Sequence, residues 1–382
     1  MSNVDNQSVS DLRDLQGFEF GHVETSTPTV TEALATTAAA AAGVPPLGPL
    51  EKFIGSWTGL GFNTIFRPSQ PAVSGSDNIL QLNVTTESLV FSSGLGSIPN
   101  RGEVQPDIFL NGISYLQTVN DVTTPGEVVG IHFEPGLWIS VPPTTDPAIT
   151  SPSLVRMGSI PHGTTILAQG TSATITGAPT IPTVDITPTT SGGVKIKFPS
   201  QTASDSNTFR IPKVLPVPGS SLDLADWQAM LADPNAVLRN AISGQTITST
   251  TIIEIASPPS APFVGGGVQD IAFLLGNTSP NANANKFRAT FWIETVSFTL
   301  PIPVMAAGSF VTVTPTTTVP GLPIPQFAVQ TVSEVTAPTS VTVTYNQIQY
   351  TQFVNLNFAT LDWPHVSVAT LVPATPIDVQ LP

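Results

Sequence analysis

"TLDWPHVSVATL" (residues 360–371) alternates through its second half. His365, Ser367, Ala369 and Leu371 fall on one face, and Val366, Val368 and Thr370 on the other. A period of two is the mark of a strand, because successive side chains point to opposite faces of a sheet. Pro364 fixes the entry of the strand and brings no N–H of its own. The His365 face is otherwise small, and it carries one of only four histidines in the chain.

The same alternation recurs outward from this stretch. "NILQLNVTTESLVF" (78–91), "GISYLQTV" (112–119), "EVVGIHFEPGLWISV" (127–141), "TTILAQGTSATIT" (164–176) and "GGVKIKF" (192–198) are strand-like runs separated by Gly, Pro, Asn and Ser clusters. So are 245–257, 267–275, 286–300 and 340–358. Many short, evenly spaced strands point to a closed barrel or a sandwich. One segment breaks the pattern. "SLDLADWQAMLADPNAVLRNAISG" (221–244) opens with a Ser cap and acidic residues, and its apolar positions follow helical spacing until Pro234 divides it. Residues 1–45 lack the strand pattern and read as a flexible N-terminal tail, closed off by "GVPPLGPL".

Composition excludes several functions. Charged residues make up 10% of the 382, against a hydrophobic share of 40%, which suits a β-rich globular chain rather than a disordered one. The net charge is −14 and no basic run exists, so neither nucleic acid nor an anionic membrane surface is an expected partner. With no cysteine there are no disulfides, thiolate metal sites or thiol nucleophile. The N-terminus lacks the basic-then-apolar pattern of a secretory signal, and no run is long enough to span a bilayer; the expected location is cytoplasmic. No Gly-x-Ser-x-Gly elbow occurs, and "FVGGGVQD" (263–270) is not followed by a phosphate-loop Lys-Ser/Thr.

Two pieces recur: "TESLVF" (86–91) beside "IETVSF" (293–298), and "ISYLQTV" (113–119) beside "IQYTQFV" (348–354). A histidine follows each second piece, His132 and then His365. Duplication of a barrel or half-barrel would give this pattern, as would chance in a Thr/Val-rich chain.

"FIGSWTGLGFNTIFRP" (53–68) carries Gly55, Trp57, Gly59 and Gly61 on a Gly-x-Trp-x-Gly-x-Gly pattern. Glu87 and Phe91, Tyr115 and Gln117, and "IHFEPGLW" (131–138) follow in order, and "IQYTQFVNLNFATLDWPHVSVATL" (348–371) forms a closing hairpin. The ordered set resembles the nitrobindin-like haem-binding β-barrels, over about 55–170 and 286–372. The chain departs from them in being about twice as long, and 200–285 has no counterpart.

The resemblance implies an all-β, calycin-like antiparallel barrel, either one enlarged barrel or two in tandem, with one inserted helical segment. Residues 46–200 would be its first part, 201–285 an insertion with the helix, and 286–382 the closing part or a second barrel. It implies haem b, with the iron held by His365 and peroxidase-like or nitric oxide/peroxynitrite chemistry on a small-molecule ligand. A haem needs an apolar slot and a neutral imidazole, which the small His365 face suits. His162, in a His-Gly turn, is then the candidate acid–base residue over a bound peroxide; alternatively it only bonds its own loop. His132 shares a face with Glu134, either as a cofactor contact or as a brace for the strand. Arg156 and Arg288 are candidates for holding propionates at the rim, or else solvated charges. Trp57 is either beside the cofactor or part of the barrel floor. The rival readings are a haem-free carrier of a fatty acid or other apolar substrate, and a structural β protein. A homo-oligomer is compatible with each.

Overall fold

A computed structural model describes residues 43–69, 78–203, 206–315 and 322–382. The expected tail, 1–45, falls almost wholly outside them. Pro45–Pro382 forms one compact unit.

Ten strands of the described residues close into one antiparallel barrel: β1 (Gly55–Arg67), β2 (Ile79–Phe91), β3 (Ile108–Asp121), β4 (Val129–Val141), β5 (Ser153–Ile160), β6 (Thr164–Thr176), β7 (Thr246–Ser257), β8 (Asn283–Ile302), β9 (Thr339–Phe358) and β10 (Leu361–Pro373). Each pairs with its neighbour in sequence, and β10 returns to pair with β1 from Trp57↔Pro373 to Thr64↔Val366. At this seam an added Cβ on Gly59 would stand 2.0 Å from the Thr370 carbonyl oxygen, so the backbones meet only because a glycine is there.

The all-β calycin-like architecture is present as a single enlarged barrel. The tandem alternative is ruled out because 286–382 supplies three wall strands of the same ring. Nor is 201–285 all insertion, since β7 lies within it and is a wall strand between β6 and β8. The helical segment becomes two helices, α1 (Leu224–Ala232) and α2 (Ala236–Ile242), broken at Asp233-Pro234-Asn235. Asp223 caps α1 by accepting from the Asp226 N–H at 2.9 Å. A four-residue helix, α3 (Ala272–Leu275), lies between β7 and β8.

Alternation divides the side chains of each strand between inside and outside. One end of the barrel is filled by Phe53, Trp57, Phe91, Trp138, Phe291 and their neighbours, with the 3₁₀ turn Gly48–Phe53 plugging it through Leu50 and Phe53. Outside, α1, α2 and residues 177–203 and 206–222 cover β1, β2 and β10 through Trp227, Leu238, Val366 and Val368. A small sheet of Phe310–Val313, Phe327–Thr331 and Ile377–Leu381 covers the far ends of β8 and β9. Among the described residues no helix is long and apolar enough to cross a membrane.

The two sequence recurrences fare differently. Tyr115 and Tyr350 both face the interior. Glu87 does too, whereas Glu294 lies on the outer face beside the inward Ile293. The Glu pair is therefore not equivalent, which argues against a duplicated half-barrel.

Candidate functional site

The end of the barrel opposite the plug encloses a cavity of about 450 Å³, within the range of small-molecule and cofactor sites. Three of the four histidines, His132, His162 and His365, line it. Ile65, Ile131, Ile160, Phe287, Val354 and Leu356 supply apolar wall. Leu274 reaches in from α3, beside the start of β8. The preceding residues Gly267–Asp270 pair with β6, and the Asp270 carboxylate accepts from Thr164 Oγ1 at 2.5 Å and from the Ala284 N–H at 2.6 Å.

His365 enters from β10 beside Ser367, on the small face. Asn63 of β1 approaches both: its Nδ2 lies 2.7 Å from His365 Nε2 and donates to Ser367 Oγ at 2.6 Å. The side-chain amide of Asn83, on β2, lies 3.1 Å from Asn63 Oδ1. Burial, reinforced by repulsion from His132 and His162, pushes the His365 imidazole down to about 3, so it is neutral across the physiological range.

Two buried carboxyls lie below. Glu87 accepts from Tyr350 Oη at 2.5 Å, from Gln117 Nε2 at 3.3 Å and from Thr85 Oγ1 at 3.2 Å. Burial raises its pKa despite these bonds. Glu134 behaves oppositely. Burial alone would raise it, but the Arg156 charge and bonds from His132 and Tyr115 outweigh burial and hold it at about 2. Arg156 donates to Glu134 Oε1 at 2.8 Å, to Gln352 Oε1 at 2.9 Å and to Tyr115 Oη at 3.0 Å, among the rings of Trp138, Phe287 and Phe291. Tyr115 also donates to Glu134. Gly158 makes room for this pair: a Cβ there would lie 2.3 Å from Glu134 Oε1.

His132 is tied to Glu134, Nε2 to Oε2 at 3.1 Å, and its ring centroid lies 6.2 Å from that of His162. A bulge in β4, where Val119 faces His132 and Asn120 faces Gly130, turns both Ile131 and His132 toward the cavity. His162 sits in the β5–β6 turn, exposed at the edge of the cavity, and partial burial, with His132 beside it, lowers its pKa.

Three of the expected site residues do not line the cavity. Arg156 is fully buried and committed to Glu134, so it is no rim cation. Arg288 points outward from β8, over the Phe353 ring at 4.2 Å. Trp57 belongs to the plugged end, its Nε1 donating to the Phe53 carbonyl at 2.7 Å. The rim cation that lines the cavity is Arg67, at the end of β1, with no ion-pair partner among the described residues. Asn63, Asn83 and Arg67 escaped the sequence reading. Inward alternation from Trp57 along β1 would have placed Asn63 and Arg67 inside.

Among the described residues, no three or more His, Asp or Glu side chains gather closely enough to hold a bare metal ion. The donor set does fit haem: one neutral imidazole, facing an apolar-walled cavity of cofactor size. Ligation through Nε2 requires the Asn63 amide to give way, while ligation through Nδ1 leaves it as an outer partner.

No family model matches the chain, and no curated protein matches it. Among solved structures it is similar to Rv2717c from M. tuberculosis, at 10% identity and a TM-score of 0.32, over 86% of this chain and 100% of that one. A likeness of that degree establishes neither family nor function. The fold defines the class: a closed ten-stranded antiparallel barrel with an internal cavity.

Proposed function

We propose that the barrel is nitrobindin-like and binds haem b in its cavity, with His365 as the iron ligand. The observation that carries this reading is the convergence of three of four histidines on one cavity, His365 being neutral within it. Bound haem would supply a redox and gas- or peroxide-binding centre, with peroxidase-like or nitric oxide/peroxynitrite chemistry. The chain's own residues position and protect it. The isoleucines and Phe287 exclude water, Asn63, itself bonded to Ser367, orients His365, and Arg67 offers a cation to a propionate. His162, neutral and facing the cavity, can take a proton from a small substrate. Glu134 holds the neighbouring His132 ring in place.

The test is a hemin titration followed at the Soret band. The parent should bind one hemin per chain. His365→Ala should weaken binding at least a hundredfold with an unchanged circular dichroism spectrum, while His162→Ala should keep the haem and alter its reaction with peroxide. A wild-type Soret band in His365→Ala would remove the ligand assignment. A second reading, a haem-free carrier of an apolar carboxylate, is favoured by the Asn63 contact that already occupies Nε2. Under it the parent binds a fatty acid and no hemin, and Arg67→Ala weakens that binding.

A further inference from the structure

β4 and β5 stay paired only from Val141↔Ser153 to Gly136↔Gly158. Beyond that point β4 continues to Val129 without β5 beside it, because β5 turns back at Ile160 into β6. The wall is therefore open there, with His132 on one lip and His162 on the other, ring centroids 6.2 Å apart. Outside the opening lies a depression of about 360 Å³, lined by Thr118, Asn120, Phe133 and Pro161. Gly130, Ile131, His132 and His162 border both this depression and the inner cavity.

Beside the opening the wall continues: Gly267–Asp270 pairs with β6 from Gly267↔Leu167 to Asp270↔Thr164, and the Ile271 N–H donates to the Gly163 carbonyl at 2.9 Å. The lateral lips carry no uncommitted charge. Both oxygens of the nearby Glu134 are engaged, Oε1 by Arg156 and Tyr115 and Oε2 by His132.

We propose that the opening between β4 and β5, flanked by His132 and His162, is a lateral entrance by which small neutral solutes reach the His365 cavity. The two imidazoles and the Ile131 side chain form its lining, so solutes of peroxide or diatomic size pass beside His162 before they meet His365. The passage does not depend on what the cavity holds, so it stands or falls separately from the haem reading.

The chain has no cysteine, so Ser367→Cys places a single thiol in the cavity. The experiment is its rate of alkylation by iodoacetamide, a small neutral reagent, in the full chain without hemin. Gly130 tolerates a side chain: an added Cβ finds only Asn120 Oδ1, at 3.7 Å. Gly130→Phe, standing over the outer depression, should slow labelling at least fivefold. Leu274→Trp, which enlarges a cavity-lining side chain on α3 away from the opening, should change it less than twofold. Thr118→Trp closes the depression from β3 and should repeat the Gly130→Phe result, which covers the case in which one variant fails to fold. Melting curves and labelling in urea confirm folding and equal intrinsic thiol reactivity. Labelling unaffected by both blocking variants, or slowed by Leu274→Trp instead, overturns the proposal.

Discussion

Arg156 shows what a single side chain does inside the barrel. It is a fully buried guanidinium, balanced by Glu134 and bracketed by rings. Removing one partner of such a pair strands the other charge, at a cost of about 3–5 kcal/mol. Arg156→Met should therefore lower stability by about that amount in urea unfolding at pH 7. The pH dependence follows from Glu134. Its folded value of about 2 lies below the ordinary 4.5, so its contribution is full above pH 4.5 and is lost as pH falls toward 2. Arg156→Met should flatten the parent's stability loss across that window. The sequence made His132, His162 and His365 legible, because histidine is scarce and each stands in a patterned context. It misplaced Arg156 because alternation says which face a side chain takes, not whether a carboxylate on the next strand will claim it. Asn63 was hidden for a related reason: its role exists only across the β1–β10 seam, 302 residues from His365.

Among elements, the β9–β10 hairpin is the one that delivers His365. Its loop is two residues, Ala359 and Thr360, both at positive φ (46° and 63°). Tight hairpins favour that geometry because it matches strand twist, but they favour Asn-Gly for it. The present residues carry Cβ strain of about 1–2 kcal/mol each. Ala359→Asn with Thr360→Gly should raise stability by about 1 kcal/mol or more, read as a higher denaturant midpoint at constant slope. On β8, Glu294 is buried against Gln347, and burial pushes it up to about 8; its Oε1 has no partner among the described residues. Its folded value exceeds the ordinary 4.5, so stability is fullest below pH 4.5 and declines as pH rises through 8. Glu294→Gln should remove that decline and unfold later than the parent at pH 9. Most strands were legible as elements, since alternation survives wherever one face is buried. β5 was not: its Gly158 and the polar Arg156 both face inward and break the apolar rhythm. The run 192–198 alternates but never joins the wall, and forms only an isolated bridge between Lys195 and Thr189.

At the scale of the whole molecule, the β content followed from composition and spacing and the closed form from the family resemblance, but the number of barrels followed from neither. Nothing local distinguishes a strand that starts a second ring from one that completes the first. The completing contact pairs Trp57 with Pro373, and it has a kinetic meaning. Every other joint of the ring links strands consecutive along the chain, across connections of no more than about seventy residues. The β1–β10 joint must instead wait for a loop of some three hundred residues to close, an entropy that no neighbouring contact offsets in advance. We expect it to be absent from the rate-limiting barrier. Val368→Ala, which thins the joint opposite Phe62, should then speed unfolding and leave the refolding rate unchanged in stopped-flow chevrons. A matching fall in the refolding rate would mean instead that the ring forms from its ends inward, with the two termini of the barrel meeting early and the hairpins filling in behind them.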